Sequence, residues 1–125
     1  MQESIIRQIP LFASLPETEI HHLAESLQMV AFPADALLFR EGEEGDRFYI
    51  ILDGEIEIIK AMGTPDERLI GICGRGEYIG EMSLLNPDRK RTASVRARAP
   101  VQAAVVTRAD FDALLHREPS VAYEM

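Results

Sequence analysis

Residues 80–95 read Gly-Glu-Met-Ser-Leu-Leu-Asn-Pro-Asp-Arg-Lys-Arg-Thr-Ala-Ser-Val. A glycine and a carboxylate, Gly80 and Glu81, open the stretch. Met82 and Ser83 lead into the apolar pair Leu84-Leu85, and a polar loop follows. The stretch closes on Arg91, Thr92 and Ala93 as an alternating strand begins. A segment of this kind can fold back on itself and bring a carboxylate and a guanidinium into one small space. Burying both is costly, because desolvation takes several kcal/mol per ion. A ligand with an anionic end and a hydroxyl end would use both groups. Each residue also has a plainer reading. An isolated Glu–Arg pair is more often a surface ion pair. Arg89, Lys90 and Arg91 can be a solvated loop, and Ser83 an ordinary helix-turn residue.

Other chemistries find less support. The three histidines are His21, His22 and His116, all on expected helices. Adjacent histidines point to different sides of a helix, whereas a helical zinc pair needs four-residue spacing. A metal enzyme built on a small double-stranded barrel would need histidines and a carboxylate on facing strands. No metal or other cofactor is therefore expected. Cys73 is the single cysteine, so no internal disulfide can form and a reducing, cytoplasmic setting is expected. It reads as a small strand residue. The net charge of −8 disfavours nucleic acid and anionic membranes as partners. An anion would have to enter a local, shielded positive site. No apolar run approaches the ~18 residues of a membrane span. The N-terminus carries Glu3 and Arg7 and lacks an apolar signal core.

The elements that must position these residues follow from periodicity. At 125 residues with 46% apolar content, the chain is expected to be one folded domain. Residues 2–8 fit a short helical turn that Pro10 breaks. Ser14-Leu15-Pro16-Glu17 has the capping-box pattern, with proline inside the first turn. The helix it opens carries Ile20, Leu23 and Leu27 at helical spacing. From Met29 the period becomes two. Strands are expected at 29–32, 36–40, 48–52, 55–59, 69–73, 92–98 and 101–107. Asp53-Gly54 predicts a type I′ hairpin between the third and fourth of these. Thr107-Arg108-Ala109-Asp110 starts a last helix carrying Phe111, Leu114 and Leu115, which Pro119 ends or kinks. About eight short strands with glycine turns and flanking helices suggest a jelly roll or barrel.

The 80–95 stretch resembles the phosphate-binding cassette of cyclic nucleotide-binding domains. Such domains occur in catabolite activator proteins, cyclic nucleotide-dependent kinases and cyclic nucleotide-gated channels. The matching residues are Gly80-Glu81-Met82-Ser83-Leu84-Leu85, then Arg91-Thr92-Ala93-Ser94-Val95. Residues 41–54, Glu-Gly-Glu-Glu-Gly-Asp-Arg-Phe-Tyr-Ile-Ile-Leu-Asp-Gly, look like the family's glycine-punctuated first hairpin. The likeness runs through nearly the whole chain.

The resemblance implies a mainly β fold, an eight-stranded double-stranded β-helix (jelly roll) with flanking N- and C-terminal helices. It divides the single domain 1–125 into an N-terminal helical segment 1–27, a barrel 28–107 with its cassette at 80–95, and a C-terminal helical segment 108–125. It implies that Arg91 presents paired donors to the cyclic phosphate. Backbone N–H groups near Ser83, Thr92 and Ala93 would assist it. Glu81 would accept from the ribose 2′-hydroxyl, and Gly80 would let the backbone come close. The ligand the resemblance implies is cyclic AMP or cyclic GMP. Loop length is nearer that of the bacterial activators than that of many kinases, a slight lean to cyclic AMP. Thr92 is permissive, since its hydroxyl can accept from the guanine 2-amino group or serve the phosphate. Arg89 is a competitor for the phosphate role. The helix that covers the base in family members is expected to be present only at its start, and the activators' DNA-binding module to be absent. The implied function is a regulatory, non-enzymatic input module that signals through its C-terminal helices to a linked output domain or as a homodimer. The alternative is the same fold acting as a ligand-free interaction scaffold.

Overall fold

The computed structural model describes residues 6–7, 12–13, 15–80 and 90–119. Among the described residues, helix α1 spans Glu17–Ser26. Eight strands follow among the described residues: β1 Gln28–Phe32, β2 Leu37–Phe39, β3 Arg47–Asp53, β4 Ile56–Lys60, β5 Arg68–Cys73, β6 Tyr78–Ile79, β7 Ser94–Ala97 and β8 Val101–Thr107. The second helix, α2, spans Arg108–Arg117. The strands form two antiparallel four-stranded sheets in the orders β1-β8-β3-β6 and β2-β7-β4-β5. This is the expected jelly roll.

The central strands β3 and β8 of one sheet are buried on both faces, which explains their composition. Tyr49 and Ile51 of β3 and Val101, Ala103 and Val105 of β8 point between the sheets, where they meet Ile56 and Val95 of the other sheet. Phe48 and Ile50 of β3 and Ala104 and Val106 of β8 point outward against both helices. Phe48–Ile51 is therefore a continuous apolar run. Ile20 and Leu23 of α1 and Phe111 and Leu114 of α2 are each at most 2% exposed and complete this outer layer. Phe111 meets Phe48 edge-on at 5.4 Å.

The helix termini fit the sequence unevenly. Thr107 caps α2, its hydroxyl accepting from the Asp110 N–H at 3.3 Å. For α1 the cap position falls at Pro16, with no side-chain cap bond. The expected capping serine, Ser14, lies outside the described residues. Between them, Arg117 Nε donates to both carboxylate oxygens of Glu19, at 2.9 and 2.8 Å, tying α2 to α1.

The expected Asp53-Gly54 hairpin does not form. β3 and β4 lie in different sheets, so the dipeptide is a corner between layers. Gly54 has φ +92°, but Asp53 does not have the positive φ that a type I′ turn demands. A Cβ at Gly54 would sit 2.5 Å from the Pro100 carbonyl oxygen, so the β7–β8 turn presses on this corner. The two-residue β6 pairs with Tyr49 and Ile50 and is too short to show a period in the sequence.

Candidate functional site

The exit of the cassette is stitched to the loop between β2 and β3. Arg91 N–H donates to the Glu43 carbonyl at 2.7 Å, and Gly42 N–H donates to the Arg91 carbonyl at 2.9 Å. Glu44 and Lys90 form an isolated antiparallel bridge. Ser94 is buried, and its hydroxyl accepts from the Glu41 N–H at 3.0 Å. Residues 41–44 therefore hold 90–94 in place, and with them the orientation of Arg91.

The Arg91 side chain is only 6% exposed, which rules out a solvated loop residue. Its Nη1 donates to the Gly80 carbonyl at 2.9 Å, and its Nη2 donates to the Arg47 carbonyl at 3.0 Å. Its Cζ lies 4.0 Å from the Phe39 ring centroid, a cation–π contact. Phe39 in turn stacks on Tyr49. Burial pushes the Arg91 pKa below the usual guanidinium value, with nearby Tyr49 and Asp46 acting the other way. The group nevertheless stays charged. Two carbonyl dipoles and a ring face replace part of its hydration. A further anion beside it would be favoured.

Gly80 lies against this guanidinium with φ +98°. A Cβ there would be 2.7 Å from Arg91 Nη1 and 3.2 Å from the Phe39 ring. Only glycine satisfies both the backbone angle and the space.

Gly80, Arg91, Thr92 and Ala93 line one cavity of about 280 Å³, together with Phe39, Ile58, Lys60, Ile70, Ile79 and Val95. The volume is near the lower end of the ~300–1,000 Å³ usual for ligand pockets, and the lining is mostly apolar with few polar groups. The Thr92 and Ala93 N–H groups stand outside the β7 ladder, which begins at Ser94. Four expected site residues are thus brought together. Glu81, Met82, Ser83 and the competitor Arg89 lie outside the described residues.

Lys60 also lines the cavity, with no signal in the sequence. Its ammonium donates to the Thr92 carbonyl and lies 3.5 Å from Glu41 Oε2. Glu41 Oε1 accepts from the Ala61 N–H at 3.0 Å, which with Lys60 holds the Glu41 carboxyl below its usual pKa despite some desolvation. A lysine at the end of a strand gives no local signal that it faces a cavity. Nor does Ser94 announce that it will hold Glu41, 53 positions away.

No group of three His, Cys, Asp or Glu side chains among the described residues could hold a metal ion. His21, His22 and His116 are exposed on the helices. No helix among the described residues is long and apolar enough to cross a membrane.

The chain is similar to known proteins over most of its length. Residues 29–118 match the family model of the cyclic nucleotide-binding domain. The chain is 37% identical over 115 residues to the cAMP-dependent protein kinase regulatory subunit of Emericella nidulans, covering 92% of this chain and 27% of that one. The corresponding subunit of Blastocladiella emersonii is 34% identical, with 92% and 28% covered. The chain therefore spans little more than a quarter of these relatives. Among solved structures, the regulatory domain of Toxoplasma gondii PKA with cAMP superposes with a TM-score of 0.87 at 28% identity, over 97% of this chain and 45% of that one. The catabolite activator protein of Thermus thermophilus gives 0.80 at 31% identity, over 92% and 54%. With the family model matching well over half its length, this chain belongs to the cyclic nucleotide-binding domain family.

Proposed function

We propose that this chain is a regulatory, non-catalytic module that binds a cyclic nucleotide and signals through its C-terminal helical segment. The observation that carries the reading is the buried Arg91 guanidinium, lining one cavity with Gly80, Thr92 and Ala93. In this reading Arg91 takes the equatorial oxygens of the cyclic phosphate. The Thr92 and Ala93 N–H groups assist it, with that of Ser83 beside Met82. Glu81 accepts from the ribose 2′-hydroxyl, and Gly80 admits the sugar. Linear monophosphates carry more charge and a freer geometry, and would leave buried donors imperfectly paired.

The sequence 1–125 acts as one domain, with the helical segments 1–27 and 108–125 flanking the barrel 28–107. The relatives' names support cyclic AMP as a ligand. Their greater length supports a covalently linked output region. A cytoplasmic setting fits the single cysteine.

Calorimetric titration with cyclic AMP, cyclic GMP and linear AMP tests the reading. Binding of a cyclic nucleotide at least tenfold tighter than linear AMP is expected. Equal binding of all three would mean a general anion site, and no binding by the folded protein would overturn the reading.

A further inference from the structure

We propose that Lys60 discriminates between bases, raising the affinity for cyclic GMP relative to cyclic AMP. The proposal rests on the cyclic-nucleotide reading above and adds to it the group that reads the base.

The cavity runs from a buried to an open end. Arg91, 6% exposed, marks the inner end. Ile70, 55% exposed, and the partly exposed Lys60 mark the outer end. With the phosphate at Arg91, the base extends outward over Ile58 and Ile70, and its edge reaches Lys60. An ammonium has three donors and no acceptor. Among the described residues, Lys60 gives one to the Thr92 carbonyl and directs its charge to Glu41. The remaining donor can serve the ligand.

A donor-only group discriminates purines by their outer edge. Guanine presents two acceptors there, O6 and N7. Adenine presents N7 beside the N6 amino group, itself a donor. N7 accepts in both bases, so the discriminating contact is at the C6 substituent, where Lys60 gains a charge-assisted bond with guanine O6 and meets a like donor in the adenine amino group. This is independent of Thr92, whose hydroxyl would read the 2-amino group on guanine's other edge.

Cyclic IMP separates the two, because it keeps O6 and N7 but lacks the 2-amino group. Titrations of the wild type, Lys60→Met and Lys60→Arg with cyclic AMP, cyclic GMP and cyclic IMP are the test. Lys60→Met keeps the apolar stem and removes the donors. It should weaken cyclic GMP and cyclic IMP each by about tenfold and change cyclic AMP by less than twofold. Lys60→Arg should retain most of the wild-type ratio. Parallel losses for all three nucleotides would place Lys60 at the phosphate or in the cavity wall and overturn the proposal, as would no change for any. A loss confined to cyclic GMP, with cyclic IMP unaffected, would also overturn it. Failure of the cyclic-nucleotide reading is distinct: the folded wild type would then bind none of the three.

Discussion

Gly80 and Arg91 are fitted to each other. The Arg91 Nη1 group donates to the Gly80 carbonyl at 2.9 Å, and the space a Gly80 side chain would need is taken by that same nitrogen, 2.7 Å from an ideal Cβ. The backbone carbonyl orients the guanidinium, and the guanidinium requires the glycine. Residues 11 positions apart thus set one edge of the cavity together.

Gly80→Ala should damage both stability and the site. The backbone at φ +98° is strained for any L side chain, at about 1–3 kcal/mol. Relief would come by displacing Arg91, which is pinned by two carbonyls and a ring. A fall in the urea midpoint together with weaker cyclic-nucleotide binding is expected. An alanine variant as stable and as tight-binding as the wild type would show that the contact relaxes freely.

Arg91→Ala should lose about 3–5 kcal/mol of binding if the phosphate contact is desolvated, roughly a hundred-fold to several thousand-fold. It should also cost stability, by about 1–3 kcal/mol, because the Gly80 and Arg47 carbonyls each lose a hydrogen bond from the buried guanidinium. Titration of protein shown to be folded by circular dichroism separates the two effects. Normal binding by Arg91→Ala with loss in Arg89→Ala would transfer the phosphate role to Arg89.

Arg117→Ala should destabilise the fold by about 1–2 kcal/mol. That is less than the ~3–5 expected for a fully buried pair, because the Arg117 side chain is 43% exposed. Glu19, only 7% exposed, would be left without its partner. A double-mutant cycle with Glu19→Gln should show coupling of at least 0.5 kcal/mol. Additive effects would mean that the pair does not hold α1 to α2.

Cyclic nucleotide at one hundred times its dissociation constant should add about 2.7 kcal/mol of stability. For a domain of this size that raises the melting temperature by roughly 10 °C. Linear AMP at the same concentration should shift it by far less. Equal shifts would point to nonspecific anion stabilisation.

Much of this protein was legible in its sequence, and the reason is local. Alternation marks β4, an unbroken apolar run marks β3, and Thr107 with Phe111 and Leu114 marks the start and buried face of α2. The Gly80-Glu81 and Arg91-Thr92-Ala93 pattern pointed to a family and to a place in the chain. The tertiary structure decided how these pieces meet. Asp53-Gly54 has the composition of a hairpin, yet the chain crosses there between sheets, because β3 finds its partners in β8 and β6. The resemblance singles out Arg91 for the phosphate, but only the fold shows the Arg47 carbonyl, 44 positions away, and Phe39 enclosing its guanidinium. Lys60 and Thr92, 32 positions apart, carry no mutual signal. Local propensity and periodicity depend on neighbours in sequence. Enclosure of a charge and the shape of a cavity depend on which distant surfaces are buried together, and that is settled only when the two sheets close.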